Sequence, residues 1–406
     1  MGIKPSDLGA LPPDWKAVKF GAITKVRQGL QIAISERLTK PTLTSQEYIT
    51  IQSINRQNQG REYVESPSTR VTCKSDDVLM TRTGNTGIVV TGVEGAFHNN
   101  FFLIDFDRKE LDSIFLVNYL RSPRVQHVLL TKAGASTIPD LNHKDFYSID
   151  FPLAPLPEQK KIAKILSTWD KAITTTEQLL HNSQQQKKAL MQQLLTGKKR
   201  LLDQNGVRFG GEWKTTEIGD FLQESRIPSK NNDPSKRLTV RLNLKGIEPR
   251  EFRGTEAVES TAHFVRSAGQ FIYGKQNIHK GAFGIIPKNL DAYETSQDLP
   301  AFDFTGTCDS IWFYHYMTQE NFFASLEDKM SGTGSKRLNP KTFFKIKLVC
   351  PPIEEQQKIA AVLSTADQEI SALQQKLDAL KKEKKALMQQ LLTGKRRVKV
   401  DDKEIA

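Results

Sequence analysis

The sequence predicts an α+β protein: two β-rich domains and two long helices, the helices paired antiparallel as a coiled coil and the halves related by an approximate two-fold. Three observations predict it. The segment Glu158–Arg200 recurs without a gap as Glu355–Arg397, with 25 of its 43 positions identical. Both copies are free of proline, rich in helix formers, and carry an apolar stripe at alternating steps of four and three. The stretches before them break into short runs of apolar, β-branched or aromatic residues punctuated by Gly and Asn. A long repeat placed once in the middle and once at the end makes a chain of two halves.

In chain order, residues 1–154 form the first domain, 155–200 the central helix, 201–351 the second domain, 352–397 the C-terminal helix and 398–406 a tail. The strand candidates are Tyr48–Ile54, Val78–Thr81, Gly87–Val93, Phe101–Phe106, Gln270–Tyr273, Ala282–Ile286 and Ser310–Tyr316. Helical patterns appear near Leu111–Lys132 and Thr318–Met330. Each domain is read as mixed α/β with a twisted sheet or a partly open barrel. Pro155-Leu156-Pro157-Glu158 opens the central helix, with Pro where a first turn tolerates it and Glu at the positive end of the dipole. Gly197 and Gly394 are natural left-handed stops. About 40 residues at 1.5 Å each give a rod of about 60 Å.

The stripe in the C-terminal helix reads Ile359, Leu363, Ala366, Ile370, Leu373, Leu377, Leu380, Lys384, Leu387, Leu391. In the central helix it reads Ile162, Leu166, Trp169, Ile173, Thr176, Leu180, Ser183, Lys187, Leu190, Leu194, with a more polar middle. Neither can be buried alone, so each takes the other. The second domain begins where the first helix ends and hands over to the second helix. A compact domain keeps its ends close, which predicts an antiparallel pair. The seam lysines, Lys187 and Lys384, either fix register or snorkel at the edge of the seam. Met191 and Met388 fit the coiled-coil core.

Charge points to a polyanion. The net charge is +12 and the pI about 9.4. Residues 1–154 carry 18 basic and 16 acidic side chains, and 201–354 carry 20 and 19. The repeated segments carry 9 and 3 in 158–200, and 9 and 5 in 355–397, so the excess sits on the helices. Complementing the helix dipoles explains that excess as well as phosphate contact does. Met1–Asp14 is polar and Pro-rich, unlike a signal peptide, and no apolar run approaches the ~20 residues of a membrane span. Cys73, Cys308 and Cys350 lie far apart with no metal-ligand spacing, which suits a reducing cytoplasm and argues against zinc.

Shorter echoes link the domains: Trp15-Lys16 with Trp213-Lys214, Leu141-Asn142 with Leu338-Asn339, Phe146 with Phe343 and Ile149 with Ile346. Between these flanks the domains diverge. The plan of variable domain, repeated helix, variable domain, repeated helix resembles the specificity subunit of bacterial Type I restriction–modification systems. The helix starts PLPEQKKIA and PPIEEQQKIA and the ends KKALMQQLLTGK carry the resemblance, which covers essentially the whole chain. Asp76–Asn85 (DDVLMTRTGN) resembles a family motif, with Asp76 where Gly is common. Gly269–Lys275 followed by Lys280–Gly284 resembles its second-domain counterpart.

The resemblance implies two target recognition domains, each reading half of a split double-stranded DNA site, with the helices setting the spacing. It implies two docked methyltransferase subunits that bind S-adenosylmethionine, and motor-nuclease subunits that use ATP and Mg2+. This chain would bind no cofactor and carry no catalytic residue or metal. Base reading needs Arg, Lys, Asn or Gln on loops. The candidates are Arg56, Arg82, Asn85, Lys132, Ser136 and Thr137 in the first domain. In the second they are Lys275, Gln276, Asn277, Lys280, Ser335, Lys336 and Arg337. The ordinary reading of each is a solvated surface charge or amide. The repeated pairs Gln192-Gln193 and Gln389-Gln390 are candidates for partner docking.

Two rival readings are an enzyme acting on DNA and a coiled-coil protein scaffold. Asn339-Pro340-Lys341 does not match the Pro-Pro-aromatic motif of an adenine methyltransferase. Thr196-Gly197-Lys198-Lys199 lacks the upstream Gly and the hydroxyl residue of a nucleotide-binding loop. Sequence-specific DNA binding would exclude the scaffold.

Overall fold

A computed structural model describes residues 8–55, 60–134, 139–230, 233–251, 262–332 and 334–400. The chain divides into two units, residues 1–177 with 375–406, and residues 178–374.

In the first unit, β1 (Thr24–Gln28), β2 (Val78–Thr81), β3 (Val89–Val90) and β4 (Phe101–Phe106) form an antiparallel sheet in the order β1-β4-β2-β3. The sheet is covered on both faces, which explains unbroken apolar runs such as Val78–Met80 and Phe101–Ile104. Val78, Met80, Phe102 and Ile104 face the main core, while Leu79, Val90, Phe101 and Leu103 face a second cluster with Ile49 and Phe97. Among the described residues the sheet stays open rather than closing into a barrel.

The helical pattern near Leu111–Lys132 is two helices, α1 (Ser113–Arg121) and α2 (Pro123–Ala133). Asp112 caps α1 by accepting from Ile114 N and Phe115 N, both at 2.9 Å. Ser122 then caps α2, with Pro123 in its first turn, so the chain restarts instead of continuing. The predicted strand Tyr48–Ile54 is shorter. It runs Ser45–Ile49 and turns into a helical segment, Ile51–Asn55, because Thr50 and Ser53 cap each other through their hydroxyls and backbone N–H groups.

Lys16–Lys19 pairs antiparallel with Asp150–Leu153 and delivers the chain to α3 (Leu156–Leu194). The second unit repeats the plan. Its strands β5 (Leu222–Ser225), β6 (Phe271–Tyr273), β7 (Phe283–Ile285) and β8 (Ala301–Phe304) lie in the order β5-β8-β6-β7. Lys214–Glu217 pairs with Lys347–Cys350 and leads to α5 (Ile353–Leu391). One expectation fails here: Ser310–Tyr316 is not a strand but part of a helix, α4 (Ser310–Met317). Asp309 accepts from Ile311 N at 3.0 Å and Trp312 N at 2.8 Å and starts it, as Asp112 starts α1. The helical pattern near Thr318–Met330 resolves into Glu320–Ser325 and a 3-10 turn, Leu326–Lys329.

Within each unit a segment of α3 packs antiparallel to a segment of α5. In the first, Asp170 pairs with Lys384 and Glu177 with Lys381, so partner numbers fall as α3 advances. In the second, Ser183 bonds Glu369, Lys187 pairs with Asp367 and Arg200 with Glu355, again in falling order. Every stripe residue named from the sequence is buried or half-buried, including Thr176 and Ser183 in the polar middle. The seam lysines are mostly covered, at 20% and 15% side-chain exposure, and each closes on the Asp of the other helix. They pair across the seam rather than snorkelling to water. Met388 is buried in the first core and Met191 packs against the second.

A buried carboxylate anchors the start of each long helix. Glu158 accepts from Trp15 Nε1 at 2.8 Å and from Arg397 Nε and Nη2 at 2.7 and 2.8 Å. Glu355 accepts from Trp213 Nε1 at 3.2 Å and from Arg200 Nε and Nη2 at 2.6 and 2.7 Å. Fully bonded on both oxygens, each carboxylate tolerates its loss of water. The neighbouring amides do the same for the domain. Gln159 Oε1 accepts from Asp112 N, and Gln356 Oε1 from Asp309 N, both at 2.9 Å. Gln159 and Gln356 are buried, so α1 and α4 are fixed to the long helices in the same way.

Candidate nucleic-acid interface

Base-reading side chains need a loop held rigidly at its root. In the first domain that loop leaves β2 at Arg82 and returns at Ile88. Gly84 and Gly87 have φ of 80° and 91°, which only Gly adopts at little cost. Thr81 Oγ1 donates to Asn85 O and accepts from Ile88 N, and Thr86 Oγ1 donates to Arg82 O at 3.0 Å and Pro139 O at 2.8 Å. Arg82 is pinned on both sides through its backbone: its N–H donates to Asn100 O at 2.7 Å and its C=O accepts from Leu141 N at 2.8 Å.

The second domain builds the same root on Lys275. Its N–H donates to Asp298 O at 3.0 Å and its C=O accepts from Leu338 N at 2.9 Å. Leu141 and Leu338 are matched in the repeat, so Arg82 and Lys275 occupy equivalent places. The matched motifs Asp76–Asn85 and Gly269–Lys275 already set Arg82 opposite Lys275 in the sequence, at a different offset from the helices.

The side chains at these roots differ. Arg82 folds inward: Nη2 is 2.8 Å from Asp140 Oδ2 and the guanidinium lies 5.5 Å from the Phe102 ring centre. It shapes its loop, and Asn85 is the exposed member at the tip. In the second domain Gln276 meets Arg337. With its amide oriented to satisfy both partners, Gln276 Oε1 accepts from Arg337 Nη2 at 3.0 Å and Nε at 3.3 Å, and Arg337 Nη2 is 3.8 Å from Asp298. The loops 274–282 and 334–338 are thereby brought together, with Lys280, Ser335 and Lys336 exposed and Lys336 3.7 Å from Glu327. Asn277 is half-buried, and its carbonyl accepts from Lys280 N at 2.9 Å and Ala282 N at 3.2 Å. The hairpin tip at Asn243 and Leu244 braces the same loop through Lys280 O at 2.8 Å and Gly281 O at 3.0 Å.

Lys132 instead lines a cleft with Lys19, Tyr119, Arg124 and Asp150. Arg56, Ser136 and Thr137 lie outside the described residues. The four glutamines of the repeated pairs, Gln192, Gln193, Gln389 and Gln390, are all exposed on the long helices.

One repeated feature escaped the sequence reading. Asp112-Ser113-Ile114 recurs as Asp309-Ser310-Ile311 at the helix offset, inside domains that otherwise diverge. The Asp residues are caps, but Ile114 and Ile311 are large apolar side chains left 45% and 38% exposed. The signal was available as an identical tripeptide.

Among the described residues no cluster of His, Cys, Asp and Glu could hold a metal ion, and no helix is long and apolar enough to cross a membrane. Residues 12–182 and 210–382 both match the Type I restriction modification DNA specificity domain. The chain belongs to the Type I restriction–modification specificity subunits and carries two DNA specificity domains. It is 24% identical to the Type I restriction enzyme MjaVIII specificity subunit of Methanocaldococcus jannaschii, covering 96% of this chain and 94% of that protein. Against the MjaIX specificity subunit of the same organism the identity is 22%, covering 97% and 96%. Among solved structures, the S subunit of a Type I system from M. genitalium shares the fold, with a TM-score of 0.60 and 14% identity over 95% of this chain and 99% of that one.

Proposed function

We propose that this specificity subunit reads a bipartite, asymmetric site in duplex DNA, one half with each domain, and directs partner subunits to it. The observation that carries the reading is the pair of loop roots. Arg82 and Lys275 have matching backbone anchors, while their surroundings, Asp140 with Asn85 and Gln276 with Arg337, present different donors and acceptors. Equal mounts with unlike faces suit two half-sites of unlike sequence. The antiparallel pairing of α3 and α5 suits inverted approach to the two halves and a fixed unread interval.

The partner role falls to features present in both copies. Gln192-Gln193 and Gln389-Gln390 on the helices, with Ile114 and Ile311 beside their starts, would hold two copies of one adenine methyltransferase subunit. Those partners would bring S-adenosylmethionine. Motor-nuclease subunits would bring ATP and Mg2+, and this chain would supply recognition without chemistry.

The test is to remove one heptad from α3 and the heptad facing it in α5, then map methylated adenines in cells carrying the chain with its methyltransferase. Seven residues shorten each helix by about 10 Å, the rise of about three base pairs. The unread interval should contract by that amount while both half-sites keep their bases. An unchanged interval would sink the spacing role, and altered half-sites would sink the division of labour between domains.

A further inference from the structure

The repeated helices are nearly identical at their ends but not on their outer faces. In α3, Lys160, Lys164 and Lys171 follow at steps of four and seven, which return to one face of a helix. That face is opposite the seam of Ile162, Leu166, Trp169 and Ile173. All three lysines are exposed, and no carboxylate among the described residues pairs with any of them. The matching positions in α5 are Gln357, Ala361 and Gln368, equally exposed and uncharged. This stripe therefore belongs to one copy of the repeat, while the second copy has unshared lysines elsewhere, Lys376, Lys381 and Lys382.

That asymmetry selects the ligand. A protein subunit docked once on each copy needs a face that both copies possess, and this face is absent from the second. What occurs once in a recognition complex and carries regularly spaced negative charge is the duplex being read. Three ammonium groups spread over about 16 Å of helix match the rise of about five base pairs. Lysines, as flexible point charges, suit phosphate contact without base preference. Resting on the DNA-reading proposal above, we propose that Lys160, Lys164 and Lys171 form a phosphate-binding stripe for duplex DNA on α3 alone. It would add affinity without sequence information and favour one orientation of the chain on an asymmetric site.

The test uses the full chain assembled with its methyltransferase and a duplex carrying the mapped modification site. The variant is Lys160→Gln with Lys164→Ala and Lys171→Gln, residues that the second helix already carries in the same places. Each phosphate contact contributes about 0.9 to the slope of log affinity against log salt, so three should remove about 2.7. Over a change from 50 to 200 mM salt that is about a 40-fold smaller loss of affinity than the wild type shows. The methylated sequence should stay the same. An unchanged slope would overturn the stripe. So would loss of methyltransferase co-purification, which would make it a protein contact. If the wild-type complex showed no site-specific binding at all, the recognition reading itself would fail, a result separable from either of these.

Discussion

In the first unit Arg397 closes on two carboxylates, Glu158 and Asp14, each through a pair of hydrogen bonds. In the second its counterpart Arg200 closes on Glu355 alone, with Gly211 O at 2.9 Å and the Trp213 ring 5.7 Å away. The two corners do the same job, tying a helix end and a domain entry to the start of the other long helix, but only one has a reserve. Arg397 is held firmly charged and draws the Asp14 carboxyl below its ordinary range through the same hydrogen bonds. The comparison teaches that duplication preserved the anchor and let its insulation drift.

The largest expected effect separates these corners. Glu355→Ala strands a mostly buried guanidinium, with 21% side-chain exposure, and should cost about 3–5 kcal/mol. Glu158→Ala leaves Arg397 bonded to Asp14 and 44% exposed, so about 2 kcal/mol is expected. Hydrogen exchange resolved by segment would compare the two units directly. Equal losses would mean that Asp14 contributes nothing to the first corner.

The next effect concerns the stops of the rods. Gly197 and Gly394 have φ of 69° and 68°, so an Ala at either pays for a left-handed backbone, about 1 kcal/mol. Their surroundings differ. A Cβ on Gly394 would lie 2.5 Å from Pro12 Cδ, whereas one on Gly197 would lie 3.4 Å from the Trp213 ring, an ordinary contact. Gly394→Ala should therefore cost about 2–3 kcal/mol, with the overlap added, and Gly197→Ala about 1. Denaturant titration of the two variants would give the order, and a reversed order would show that Pro12 yields freely.

Both stops were legible in the sequence because Gly ends a strongly periodic run. The seam was legible for the same reason: a 3.5-residue pattern survives even where Thr176 and Ser183 interrupt it. What failed was α4. Trp312, Phe313 and Met317 are fully buried and Ile311, Tyr314 and Tyr316 are apolar or aromatic too, so the helix has no polar face to set a period. The deciding residue was the cap, Asp309, and its twin Asp112 stood at the same offset. At the candidate interface the residue types were visible but not their engagements. Arg82 was named from its motif, whereas the partner that turns it inward, Asp140, is 58 residues away. Gln276 and Arg337 were named separately, and only folding places them together.

The last expected effect is a pH response that one buried histidine gives the second unit. On the helix that packs behind each seam lysine–aspartate pair, the first domain has Asn118 and the second has His315. Asn118 is buried and satisfies itself by donating to Ile114 O at 2.9 Å. His315 is 2% exposed, with Nε2 3.7 Å from Asp367. Burial first, and the Lys187 ammonium second, push its pKa down from 6.5 to about 4, while Asp367 and Asp309 oppose the shift. The folded state therefore holds the neutral imidazole, and the unfolded chain binds the proton more readily. Stability from this group is fully present above pH 6.5, falls as pH drops, and is spent by about pH 4. At pH 5.5, one unit below the unfolded value, the expected loss is about 1.4 kcal/mol. Hydrogen exchange at pH 7 and 5.5, corrected for the intrinsic rate, should show this loss in residues 178–374, with Asn118 giving the first unit no matching contribution. His315→Asn should abolish the difference. If it persists in that variant, the imidazole is not the source of the acid sensitivity.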